Sequence, residues 1–232
     1  MKTSNTMLGN NKGFTLIEMA IVLVIIGLLI GGVLKGQELI DGTKTKRAIS
    51  DLNSISPAYN SYTDRYRAIP GDDGPLATLQ ARGGIWAATA TPNLTATAAP
   101  NGVLANAPAQ TFAPAAEGIA FWQHLRAAGF ISGDPNVTTV VAGLLPQNPF
   151  NGLVGVSVGT VAATGMYPNG ISVCMSNVPG KAAAQMDRQL DDGNPATGSF
   201  RATLGVAGAN TAPNLAATSY DENLVYTVCK TL

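Results

Sequence analysis

From Phe14 to Leu34 the chain runs for 21 residues with a single charged side chain, Glu18. As a helix rising about 1.5 Å per residue, this run reaches roughly 31 Å, the thickness of the hydrocarbon core of a bilayer. An ordinary secretory signal has an apolar stretch of only about 7 to 15 residues and ends at a small-x-small cleavage site. Leu34-Lys35-Gly36-Gln37 is a poor site of that kind. The run therefore reads as a membrane segment that is kept. Lys2 and Lys12 precede it, which places the N-terminus in the cytoplasm by the positive-inside rule; Lys35 weighs slightly against this. Residues from 36 onward then face the opposite side.

Glu18 is the anomaly in that segment. A carboxylate in hydrocarbon costs about 2.5 to 3.5 kcal/mol, less near a helix end. Thr15 stands three residues before it, so T-x-x-E forms a capping box in which the carboxylate reaches back to the amide of residue 15. The other reading is a functional group that awaits a positive partner.

The rest of the 232-residue chain suits one globular domain. Net charge is zero and only 12% of residues are charged, which excludes a strongly basic footprint for nucleic acid. The 46% apolar content excludes wholesale disorder, while 26 glycines and 14 prolines predict many turns. Between residues 35 and 67 apolar side chains recur at three- and four-residue steps, from Leu39 and Ile40 through Leu52 and Ile55 to Tyr62 and Tyr66. This predicts that the helix continues with one apolar face, bent near Pro57 and ended by AIPGDDGP. Residues 76–116, rich in Ala, Thr, Pro and Asn, read as an irregular surface loop. A helix is expected over 117–129, stopped by Gly129, and another over 181–193. VTTVVAGLL, LVGVSVGTV, NGISVCMSNV, SFRATLGVA and NLVYTVCKTL read as short strands.

No catalytic set emerges. His124 is the only histidine, so a histidine-built metal site in one chain is excluded, and a surface or packing role is expected. Asp72-Asp73-Gly74 and Asp191-Asp192-Gly193 offer oxygens but lack the spacing of a calcium loop; turn chemistry explains them more cheaply. Cys174 and Cys229 sit in strand-like segments. Outside the cytoplasm they favour a disulfide, and otherwise two buried thiols.

G-F-T-L-I-E followed by an unbroken apolar helix resembles the prepilin N-terminal motif of type IV pilins and type II secretion pseudopilins. The blocks YRAIPGDD, FWQHLRAAGFISGD and MDRQLDDGNPATGSFRA resemble recurrent blocks of pilin-like proteins. The resemblance implies cleavage between Gly13 and Phe14 by a membrane prepilin peptidase, methylation of the new Phe14 amine, and an assembly role for Glu18, fifth in the mature chain. It implies a disulfide between Cys174 and Cys229. The organisation implied is a leader (1–13), a transmembrane and assembly helix (14–34), its amphipathic continuation (35–67) and an extracytoplasmic domain (68–232). The fold implied is α+β, a long N-terminal helix packed on an antiparallel β-sheet. Neither cofactor nor catalysis is implied. The implied partners are the peptidase, other pilin subunits, an inner-membrane assembly platform and, before assembly, membrane lipid. The chain would start as a single-pass protein of the bacterial inner membrane and end in an extracellular or periplasmic filament. The size of the globular part and its neutral Thr-rich loop favour a type IV pilin. A pseudopilin is the alternative, and a membrane-anchored extracytoplasmic enzyme is less favoured.

Overall fold

The computed structural model describes residues 13–88, 100–137, 143–159 and 170–232. The chain divides into two compact units between Gly42 and Thr43. A single helix, α1 (Leu16–Tyr66), supplies residues to both.

In the first unit α1 buries nothing. Leu16 is 90% exposed and Leu28 73% exposed, and added side chains at Gly27, Gly31 or Gly32 would meet open space. Among the described residues this is the one helix long and apolar enough to cross a membrane.

In the second unit α1 acquires a core face. Thr45, Ala48, Leu52, Ile55, Ala58 and Tyr62 are buried, each three or four residues from the last. Leu52, Ile55 and Tyr62 share one core cluster with Val154, Val173 and Val228 of the sheet. One expectation needs correction. Leu39 and Ile40 are exposed, because they fall before Gly42 and the core face begins only at Thr45. Pro57 lies inside α1, which continues through it as expected. It removes one hydrogen bond, to the Asn53 carbonyl, while buried Ile55 and Ala58 anchor the chain on either side. Arg67, at φ 54°, ends the helix, followed by Pro70 and Gly71.

The sheet holds β1 (Val154–Gly159), β2 (Gly170–Pro179), β3 (Phe200–Leu204) and β4 (Val225–Thr231). Its order is β1-β2-β4-β3 and every pair is antiparallel. A long N-terminal helix with a four-stranded antiparallel sheet fits the α+β fold expected from the resemblance. Gly155 is needed in β1 because a Cβ there would overlap the Thr111 carbonyl. Helix α4 (Ala116–Ala127) buries Phe121, Trp122 and Leu125, and α5 (Gly180–Leu190) packs on β2, β3 and β4. Among its described residues, the segment between α1 and α4 contains α2 (Leu76–Gln80), α3 (Ile85–Ala88) and a 3-10 turn at Pro108–Gln110. The strand expected in VTTVVAGLL falls mostly on 138–142, outside the described residues; Gly143 to Leu145 form no strand.

Candidate processing and assembly site

The motif sits at the start of α1. Thr15 and Glu18 form the reciprocal cap expected of T-x-x-E. The Thr15 amide and hydroxyl each donate to Glu18 Oε2 at 2.8 Å, and the Glu18 amide donates to Thr15 Oγ1 at 3.3 Å. Both partners lie beyond the Gly13–Phe14 bond, so a cut there leaves the cap intact. Gly13 is exposed with nothing within 4 Å of an added Cβ, and Phe14 is 81% exposed. The scissile bond proposed from the sequence is therefore open to an external enzyme. Among the described residues Glu18 forms no ion pair. The structure brings Glu18 to Thr15 and, among the described residues, no cation to Glu18. Lys2 and Lys12 lie outside the described residues.

Cys174 and Cys229 face each other across the β2–β4 ladder, with Cα atoms 4.0 Å apart and the sulfurs bonded. Phe112 covers the pair. The bond staples the two central strands of the second unit, far in sequence from the motif.

The remaining candidate groups have structural work. His124 is fully buried, its ring stacked on Tyr62, with Nδ1 accepting the Gly71 amide at 3.0 Å. Gly71 has φ 97°, and a Cβ there would strike the Leu104 side chain and the Glu117 carbonyl. Asp72 accepts the amides of Asn101 and Gly102. Asp73 accepts the Tyr62 hydroxyl at 2.6 Å and pairs with Arg82 at 2.8 Å. Burial, and then the Asp73 charge, pushes the Tyr62 phenol far up. The sequence assigns this aspartate pair to a turn. That both side chains point inward leaves no local signal, because the partners lie 9 to 30 residues away in a stretch without regular periodicity.

Asp187, Asp191 and Asp192 place oxygens within 4.8 Å of one another. Each carboxylate already serves the fold. Asp187 accepts the Gly193 amide and the Tyr220 hydroxyl, Asp191 accepts the Phe200 amide, and Asp192 accepts the Asn194 amide and the Thr197 hydroxyl. They hold the turn from α5 into β3. Burial raises the Asp187 carboxyl, whereas the Thr197 hydroxyl lowers that of Asp192.

Residues 8–34 match the family described as the prokaryotic N-terminal methylation motif. This is the signature of type IV pilin and pseudopilin prepilins. The chain carries a prepilin motif. No curated protein matches it. A prepilin is processed by a prepilin peptidase and assembles with other pilin subunits, and its apolar helix suits anchoring in an inner membrane. The disulfide, the candidate membrane helix and the α+β domain agree with that class, whose members are typically structural.

Proposed function

We propose that this chain is a prepilin cut between Gly13 and Phe14, methylated on the Phe14 amine, and assembled into a type IV pilus-like filament. Residues 1–13 are the leader, 14–34 the membrane and assembly helix, 35–67 its continuation, and 68–232 the extracytoplasmic domain. The role is that of a structural subunit. One observation carries the reading: the only charge within the uncovered apolar helix is a carboxylate one turn from the bond to be cut.

Before the cut, Thr15 supports that carboxylate with two hydrogen bonds. After the cut, Phe14 carries a positive amine. Glu18 of one copy then neutralises the Phe14 amine of a neighbour, and two groups that are each costly in lipid offset one another. Because the pairing works at one axial offset, it also sets register. Methylation keeps the amine positive while making it more apolar.

The mass of the mature N-terminus tests the processing: a chain that begins with methyl-Phe14 is expected, and a start beyond residue 34 would sink the proposal. Sheared surface material tests the destination. A filament with this chain as its main component is expected, and a chain confined to a periplasmic secretion assembly points instead to a pseudopilin. Glu18→Ala should reduce assembly at least about tenfold, since an unmatched amine in lipid costs more than 1.4 kcal/mol. Normal assembly of that variant would refute the ion pair.

A further inference from the structure

The inward face of the sheet extends past its cover. Across β4, β3 and the segment bridged to β3 through Thr203 and Ala216, one row holds Val228, Ala202 and Ala217, all buried. Two residues further along the same face, Tyr226 is buried but Leu204 is 54% exposed, and Leu215 beside it is 67% exposed. The Gly205 amide donates to the Val225 carbonyl at 2.8 Å, which carries the register one step on. Val206 and Leu224, the neighbours in sequence of Gly205 and Val225, are both exposed. These four aliphatic side chains form one uncovered patch continuous with the core face. Exposed Asp221 and Glu222 lie in the turn that leads into Leu224.

A second surface has the opposite character. A mainly apolar cleft of about 390 Å³ lies at the end of α1, lined by Thr63, Ala68, Ile69, Pro100 and Gly102, with Arg67 and Asp72. Asp72 is buried and bound to backbone amides. Arg67 is exposed and makes no ion pair among the described residues. The cleft shares no residue with the patch.

We infer that the Leu204–Leu215 patch of one copy docks into the Arg67 cleft of a second copy, with Asp221 and Glu222 set against Arg67. Knob and hole on different surfaces make a head-to-tail contact, which builds an open chain of copies unless its rotation closes. The size of the patch argues for the same occupant. Four aliphatic side chains present a few hundred Å², below the roughly 800 Å² per partner of a stable free complex. Copies already held by their N-terminal helices meet at an effective concentration of about millimolar, where so small a contact suffices. The inference rests on the filament reading above.

The test uses the full chain in cells that assemble it. With a photoreactive p-benzoylphenylalanine in place of Leu215, the cross-link should map to residues 63–75 or 100–104 of a second copy. A cross-link to another region of the chain, to a different protein or to lipid overturns the docking. In parallel, Arg67→Glu and Glu222→Arg should each lower sheared filament about tenfold, and the double variant should return to within about twofold of wild type. Singles without effect, or a double no better than the singles, overturn the docking alone, provided wild-type filaments form. Absence of wild-type filaments overturns the filament reading, and the docking with it.

Discussion

Two stretches of α1 have similar helical geometry but opposite surroundings. Residues 16–34 are apolar on every face and exposed on every face. Residues 45–62 are apolar on one stripe only, and that stripe is buried. A helix with one apolar stripe is satisfied by one layer of protein. A helix apolar all round needs an apolar solvent or several neighbours, and the described part of this chain supplies neither. The division between Gly42 and Thr43 therefore marks a change in what completes the fold: the chain itself on one side, a membrane or other copies on the other.

The strongest way to break that comparison acts on the second unit alone. The Cys174–Cys229 bond closes a loop with a sequence separation of 55. In the chain-entropy account its loss destabilises the second unit by about 4 kcal/mol. Cys174→Ser with Cys229→Ser should lower the unfolding free energy of the globular unit by that amount, read from its denaturation curve, and leave membrane insertion unchanged. A double variant that still unfolds like wild type would show that the strands need no staple.

A leucine pair sharpens the contrast next. Leu52 is 1% exposed, and Leu52→Ala should cost about 3 kcal/mol of unit stability through lost burial and the cavity left behind. Leu28→Ala makes the same chemical change at a position that touches no core, so the denaturation midpoint should not move. Equal losses from the two variants would mean that the first stretch is completed from within the chain after all. A smaller effect is expected from Tyr62→Phe. It removes the hydroxyl that donates to Asp73 at 2.6 Å but leaves the Arg82 pair, so about 1 to 2 kcal/mol is expected in the same assay.

The difference between the stretches also explains what could be read beforehand. The 21-residue run and T-x-x-E are local signals: length, composition and a spacing of three define them, and the structure shows the cap as written. The large members of the stripe, Leu52, Ile55 and Tyr62, are legible in the sequence. Thr45, Ala48 and Ala58 are not, because small residues contribute little to an apolar pattern yet let the helix approach its neighbours. Four of the strand segments were legible from β-branched runs. Residues 76–116 were not, because parts of this segment are held by carboxylates that precede it: Asp73 holds Arg82, and Asp72 holds the amides of residues 101 and 102. Such contacts leave no periodicity in sequence. The uncovered edge at Leu204 and Leu215 is equally hidden, since it depends on the register of β3, β4 and the segment bridged to β3, and on where their cover ends.

The smallest expected effect concerns Glu117, which is buried in the first turn of α4 and accepts the Ala105 amide. Burial raises its carboxyl above the ordinary 4.5; the Ala105 bond opposes this, and the Asp72 charge adds to it. A carboxyl raised on folding holds its proton more tightly in the folded state. Its contribution to stability is thus present below about pH 4.5 and is lost as pH rises through the raised value. Glu117→Gln keeps an acceptor for Ala105 but cannot ionise. The melting temperature of the variant relative to wild type should therefore increase from about pH 4 to about pH 7. Asp187 and Asp192 titrate in both proteins and cancel from that difference. A difference that stays level or shrinks across the range would mean that the Ala105 bond, not burial, sets the charge of Glu117. The second unit would then tolerate a buried ionised carboxylate as readily as the first is expected to tolerate Glu18 once a partner arrives.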